Sequence, residues 1–597
     1  MITKISERIS IAVVLVITAI AFFPILSNSL VNWDDQEYIT NNSLIRDLSF
    51  KGFREIFITP VMYNYHPLTI LSYCFDYFIG GLNPAIYHTG NLILHLLNTY
   101  LVLILVRRLA NNLDIAIVAS LFFGIHPMHV ESVAWASERK DVLYTFFFLA
   151  SLLCYLKFQD QKQRKYLYYT LVLFVLSLLS KGQAVVLTPV LFLIDYLQSR
   201  KINKANFIEK IPFILLSLVF GIIAIKVQSD SVYAVKIEGW QSFLYGWYGL
   251  LIYLIKAIVP LSLSAFYPYN FSPKGLEKIL IYVAIPLLIT IAGILYKRWG
   301  KDRIVIFGFL FFLITILPVL QFLPVGRAVV SERYSYVPYI GLFLALSSIL
   351  KEFMRTSAIR EYAGLFLICV GFTSFTYASR QRCKVWKDSN TLWTNVLTQF
   401  PDCELALNNR ASDKQKANDF KAVVSDLSQQ IIVDSLNPEK IAVRASMEQY
   451  KLKDYISAIR DYKKAISLKK DYVLPYQNLG LIYIENLQQY KEGIEISKEG
   501  LKIDSTDMGC KNNLAAGYFR TAEYKKAIDI YNSLIKGYPD QGMFYYVRSL
   551  CYGNMHDIEK SYNDGMKAKS LGYTFDDKYL KDFEKQRPEL TINKKAK

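Results

Sequence analysis

The chain has no CxxC pair: its seven cysteines, Cys74, Cys154, Cys369, Cys383, Cys403, Cys510 and Cys551, are scattered. Such spacing supports neither a thiolate metal cage nor a disulfide framework. No glycine-rich phosphate loop is present, so nothing marks a site for a soluble nucleotide. The polar part has no basic stripe interleaved with aromatics, which sets nucleic acid aside as a partner even though the net charge is +18. Histidine is scarce, six in all, and charge is missing altogether between Ile9 and Leu26.

What is present divides sharply. Of 597 residues, 53% are apolar, but the apolar runs end near Tyr377 and the chain is polar from Ser379 to Lys597. Two bodies in two solvents follow, lipid for the first and water for the second. The run from Ile9 to Leu26 is long enough to cross a bilayer. It lacks a small-residue cleavage site and many apolar runs come after it, so an uncleaved first helix is expected over a signal peptide. Spans are expected near 9–30, 86–106, 114–131, 141–158, 166–180, 183–198, 211–227, 279–296, 304–323, 335–350 and 362–378. Placing the basic clusters Lys4 and Arg8, Arg107 and Arg108, Lys157 to Lys165, Arg200 to Lys204, Lys297 to Arg303 and Lys351 to Arg360 inside satisfies the positive-inside rule for these eleven spans. Phe243 to Val259 then has to be an interfacial helix or a re-entrant hairpin, because one more crossing would invert the later clusters. This topology puts the N-terminus in the cytoplasm. The C-terminal part falls outside the plasma (inner) membrane, on the periplasmic side.

The polar part repeats with a beat of 34 to 35 residues. Asp454-Tyr455 with Ala458-Ile459 returns as Gln489-Tyr490 with Gly493-Ile494 and as Glu523-Tyr524 with Ala527-Ile528. The period is that of the tetratricopeptide repeat, paired helices stacked into a solenoid. The organisation expected is a membrane domain over 1–380 with a long first outer loop at 31–84, a linker helix at 381–404, repeats over 405–575 and a polar tail at 576–597. The array either stabilises the chain or offers a groove to a peptide.

Ionisable groups near bilayer depth are costly and so are functional candidates. Five of the six histidines fall between His66 and His129: His66, His88, His95, His126 and His129. The outer loop opens Asn32-Trp33-Asp34-Asp35, and a carboxylate at the membrane surface can act as general base toward a hydroxyl. His126, His129 and Glu131 form His-x-x-His-x-Glu, whose spacing and Pro127 differ from the His-Glu-x-x-His zinc signature. Lys181, Arg333, Arg139 and Lys140 are suited to meeting a phosphate.

Taken in order, Asn32-Trp33-Asp34-Asp35, His66-Pro67-Leu68, the His126 to Glu131 run, Ser180-Lys181, Glu332-Arg333 with Pro338, and the junction Trp386 to Trp393 resemble the membrane O-mannosyltransferases with tetratricopeptide repeats. Asn91, His95 and Asn98 fit as well. The resemblance implies an all-α, GT-C-like bundle of about 11 spans followed by an α-solenoid. It implies a polyprenyl-phosphate sugar as donor, Ser or Thr hydroxyls of exported proteins as acceptors, and inversion at the anomeric carbon. On this footing Asp34 or Asp35 is the base, with the choice open. His126, Lys181, Arg333 and Arg139 meet the donor phosphate, and His66, His129, Glu131 and His95 contact substrate. No cofactor is called for, and a divalent metal is not excluded. Membrane lipid and an acceptor protein held by the repeats are the expected partners. The competing readings are a transferase acting on a glycan or lipid and a membrane scaffold working through the repeats.

Overall fold

The computed structural model describes residues 7–201, 203–229, 238–269, 275–322 and 326–586. Of the sequence features above, Lys4 and the last part of the polar tail, 587–597, lie outside the described residues. The chain divides into two compact units, 1–409 and 410–597.

The first unit is helical. After α1 (Glu7–Phe22) the first long loop carries α2 (Phe50–Ile58) and α3 (Pro67–Gly80). Proline at its first position and the Asn83 side chain, which accepts the Ala85 N–H at 3.1 Å, start α4 (Pro84–Ala110). α5 (Leu113–Gly124) and α6 (Val130–Ala134) are set 51° apart about Pro127, which has no N–H to continue the first helix. There follow α7 (Arg139–Gln161), α8 (Arg164–Ser180), α9 (Leu187–Leu197), the short α10 (Lys204–Ile208) and α11 (Ile211–Ser229). Then come α12 (Gly239–Ile258), α13 (Gly275–Trp299), α14 (Arg303–Ile316), α15 (Pro338–Met354), α16 (Ala358–Val385) and α17 (Ser389–Gln399). One short antiparallel ladder joins Tyr267–Pro268 to Ala328–Val330. α14 and α15 cross at glycines: a Cβ on Gly308 would lie 2.4 Å from the Gly341 carbonyl oxygen.

Among the described residues, six helices are long and apolar enough to cross a membrane, seven if the bent α5–α6 pair is one span. The remainder of the eleven expected spans are shorter helices. A helix of 14 to 17 residues reaches roughly 21–26 Å, short of a bilayer's apolar thickness of about 30 Å. The expected count is therefore not reached by length. Phe243 to Val259 falls in α12, one unbroken helix up to Ile258, so the hairpin alternative is out. Burial ranks the spans: 67% of the apolar window of α7 is buried, against 11% for α11 and its lead-in and 17% for α13. α7 is the centre of the bundle, and the other two present most of their surface to lipid.

α18 (Glu404–Lys416) carries the chain past Asn409. The second unit continues with α19 (Phe420–Val433), α20 (Pro438–Met447), α21 (Tyr455–Leu468), α22 (Val473–Leu481), α23 (Tyr490–Ile503), α24 (Met508–Arg520), α25 (Tyr524–Gly537), α26 (Gly542–Asn554), α27 (Ile558–Ser570) and α28 (Asp577–Gln586). The repeated motif marks the start of every second helix. Asp454 caps α21 by accepting the Ser457 N–H at 3.1 Å, and the small residue four positions on lies against the preceding helix. Ala458 and Ala527 are fully buried there, and a Cβ on Gly493 would come within 2.3 Å of Ile484. Arginine on the first helix of a pair grips a buried aspartate on the second: Arg410 with Asp426 and Arg444 with Asp461, both at 2.5 Å, and Arg548 with Asp564 at 2.6 Å.

Candidate active site

Four turns at helix ends in the first unit converge: the loop after α1, the α6–α7 junction, the α8–α9 turn and the segment before α15. They assemble three cations and four carboxylates. Glu138, entirely buried, is at the centre. Its oxygens lie 3.0 Å from Lys140, 3.8 Å from Lys181 and 3.4 Å from Arg333 Nε. Lys181 is also paired with Asp141, which accepts from Ser132 Oγ at 3.0 Å, and Arg333 is paired with Glu131. Aromatic faces line the cations: Lys140 stands 4.6 Å from the Tyr38 ring centroid, Arg333 5.0 Å from that of Tyr334, and Lys181 5.7 Å from that of Tyr334.

The two acids of the loop after α1 have different surroundings. Asp35 is buried and fully engaged: Oδ2 accepts the Val31 N–H and Oδ1 the Ser137 N–H, each at 2.9 Å. It staples the loop to the start of the α6–α7 junction. Burial pushes its carboxyl up to about 6, against these two donors. Asp34 is not tied to the backbone in this way. Its side chain is 21% exposed, and its ion-pair partner is Lys140 at 3.8 Å. Burial raises the Asp34 pKa above the usual carboxylate value, Lys140 opposes this and Glu138 adds to it. His66, at the N-terminal end of α3, is pushed down to about 3 by burial and then by Lys140 and Lys181, so it is neutral at physiological pH. Its Nδ1 is buried without a hydrogen-bond partner.

The structure therefore brings Asp34, Lys181, Arg333 and Glu131 into one cluster, with Asp35 bracing it and His66 near enough to sense its lysines. Four other expected residues are elsewhere. Arg139 points to a different side of α7 from Lys140. It donates to Asn91 Oδ1 at 2.8 Å and the Tyr87 carbonyl at 2.6 Å, and it pairs with Asp76. Gly90 leaves the room it needs, since a Cβ there would fall 2.5 Å from the guanidinium. His126 lies among Tyr339, Phe343 and Phe375, with Nε2 3.2 Å from the Ala257 carbonyl. His95 bridges Tyr336 OH at 2.7 Å and the Gly124 carbonyl at 2.9 Å. His129 uses Nδ1 on the Phe123 carbonyl at 2.8 Å and leaves Nε2 without a partner. All three histidines are held by carbonyls and aromatic rings at the bend between α5 and α6. Among the described residues no three of His, Cys, Asp and Glu converge as metal ligands, because Glu131 turns from the histidines to Arg333.

Glu138 and Asp141 were not singled out from the sequence as site residues. The signal is the alternating run Glu138-Arg139-Lys140-Asp141 at the head of a span, of which Glu138, Lys140 and Asp141 join the cluster and Arg139 does not. Glu332, beside Arg333, turns the other way and is held by Arg382 and by Tyr267 OH at 2.9 Å.

Residues 79–227 match the family model described as Dolichyl-phosphate-mannose-protein mannosyltransferase. A protein O-mannosyl-transferase of Caenorhabditis elegans is 26% identical over 395 residues, 62% of this chain and 55% of that one. Protein O-mannosyl-transferase TMTC2 of Mus musculus is 43% identical over 94 residues, 16% of this chain and 11% of that one. The chain thus spans about half the length of the first relative and about a tenth of the second. The solved structure of MamA from Desulfovibrio magneticus RS-1 aligns with 28% of this chain and 93% of that one, with a TM-score of 0.26 and 14% identity. In the matched residues this chain is thus similar to protein O-mannosyltransferases, and the helix pairs that follow are of tetratricopeptide type.

Proposed function

We propose that the first unit transfers a sugar, mannose in the first instance, from a polyprenyl phosphate to Ser or Thr hydroxyls of exported proteins. The observation that carries this is Asp34, a partly exposed carboxylate with a lysine at 3.8 Å, beside three cations gathered on one buried carboxylate. Asp34 acts as the base and Asp35 positions it. The acceptor oxygen attacks the anomeric carbon and its proton passes to Asp34. The bond from that carbon to the phosphate oxygen breaks, and the lipid phosphate leaves with the electron pair from the face opposite the attack. The configuration inverts. Lys140, Lys181 and Arg333 neutralise the leaving phosphate, for which they exchange part of their hold on Glu138, Asp141 and Glu131. Held groups of this kind need no reorganisation of water as charge develops.

The donor reaches the site from the bilayer, so no soluble sugar nucleotide is needed. The charge pattern of the loops favours the N-terminus in the cytoplasm, with the acidic loop and the repeats on the outer face of the plasma membrane, where the array holds the acceptor protein. The test is transfer from a short-chain polyprenyl-phosphate mannose to a Ser/Thr-rich peptide by the purified protein. Asp34→Asn is expected to lower kcat by roughly 10²- to 10⁴-fold, the range for loss of a general base, with the melting temperature unchanged. Wild-type turnover by the Asp34→Asn protein refutes the assignment.

A further inference from the structure

The acidic loop is fastened less by its neighbours in sequence than by the end of α16 and the segment after it, residues 383–409. Asn28 Nδ2 donates to the Cys383 carbonyl at 3.0 Å, and the Ser29 N–H to the Lys387 carbonyl at 2.8 Å. Asn32 is gripped three times: its backbone N–H donates to Ser389 Oγ at 2.9 Å, its side-chain amide donates to the Asn409 carbonyl at 2.6 Å, and its Oδ1 accepts from the indole N–H of Trp393 at 2.7 Å. All of these residues belong to the first unit. The same indole lies 5.0 Å from the Trp33 ring. Trp33 stacks at 4.2 Å on Trp135, the ring that Arg333 overlies at 5.5 Å and Lys140 at 5.8 Å. One line of rings and hydrogen bonds thus runs from Trp393 through Asn32 and Trp33 to Asp34 and the cations that face it.

We infer that Trp393 is a positioning residue for the transfer reaction, acting through Asn32 to fix Asp34 against Lys140. This rests on the reading of Asp34 as the base. A packing role alone needs only the ring. Trp393 is fully buried and is the donor to the Asn32 oxygen, while the neighbouring indole nitrogens of Trp135 and Trp386 are buried without partners and serve by stacking alone. The direction of the Trp393 N–H bond thus adds something that stacking does not: it orients the residue two positions before Asp34.

The experiment compares the full-length wild type with Trp393→Phe, which keeps an aromatic ring and removes the donor, and with Asn32→Ala. Two readouts are used: steady-state transfer with short-chain polyprenyl-phosphate mannose and a Ser/Thr-rich peptide, and hydrogen exchange of the Val31 and Ser137 amides, both bonded to Asp35. Trp393→Phe is expected to lower kcat by roughly five- to tenfold, the worth of one neutral hydrogen bond, with KM for the peptide unchanged and both amides exchanging faster. In Asn32→Ala the added Trp393→Phe change should have no further effect on kcat. Unchanged exchange in Trp393→Phe overturns the inference, as does faster exchange with unchanged kcat. A wild-type protein inactive on this donor refutes the proposed function instead, and the inference then fails or stands on the exchange of the two amides.

Discussion

Replacing Lys140 by Met tests the electrostatics of the site most directly. Lys140 lies 3.8 Å from Asp34 and 3.0 Å from Glu138. A unit charge at the first distance is worth about 4 kcal/mol in surroundings of effective dielectric near 20, but Glu138 shares this lysine and takes part of that interaction. After the substitution Glu138 keeps Arg333 at 3.4 Å and Lys181 at 3.8 Å, so the cluster is not stripped of counter-charge. Asp34 is left with burial and a nearby carboxylate, both of which favour its neutral form, against the weaker pull of Arg333. A base must be ionised to accept a proton, so activity is lost as pH falls through its pKa. Removing a cation that favours the ionised form moves that loss to higher pH. The acid limb of the kcat profile should rise by roughly one to three pH units, the effect of one close opposite charge, while the plateau at high pH falls less. The measurement is kcat against pH for wild type and Lys140→Met under saturating donor, with melting temperatures recorded alongside. An acid limb that stays in place, or moves down, refutes both Asp34 as the titrating group and Lys140 as its partner.

Arg139→Met should act on stability and not on donor affinity. It leaves Asp76 unpaired and removes the donor to the Tyr87 carbonyl, a loss of about 3–5 kcal/mol for one partner of a buried pair. A lowered melting temperature with donor KM unchanged in the folded fraction is expected, and the reverse pattern would return Arg139 to the phosphate. Arg444→Ala should loosen the repeat unit by about 3 kcal/mol by leaving buried Asp461 without its fork, read as faster proteolysis near α20 and α21 in the full-length protein. Gly308→Ala should cost about 1–3 kcal/mol by forcing α14 off α15, and a thermal melt at the wild-type temperature would show that the helices do not cross so closely.

Some of this was legible in the residues. The repeat beat is visible because each helix pair needs the same small residue at the same close approach, so Ala458, Gly493 and Ala527 recur at a fixed interval. The acidic pair and the basic turns stand out because ionisable groups at the head of an apolar run are rare. What the sequence hides is pairing. Arg139 and Lys140 are neighbours in the chain, yet a rotation of about 100° per residue sends one to Asp76 and the other to Asp34. His95 and His129 bond the Gly124 and Phe123 carbonyls at the end of α5, ahead of Pro127, and nothing in their spacing separates that duty from ligand binding. Span counting is limited in the same way: 17 apolar residues read as a crossing until their length is set against a bilayer. The partnership of Asn32 with Trp393 joins positions 361 residues apart in the chain, beyond the reach of any local pattern.

The balance of charge in the cluster bears on how quickly the site fills. Three cations interleaved with four carboxylates leave no positive excess, so little attractive field for an anion extends into the surroundings. An anionic donor is therefore not drawn in from afar, and ionic strength should have little influence on its rate of arrival. On the proposed reaction, encounter is governed instead by lateral diffusion in the bilayer and by the donor's surface density, so the rate should follow the mole fraction of lipid donor in the membrane more closely than its bulk concentration.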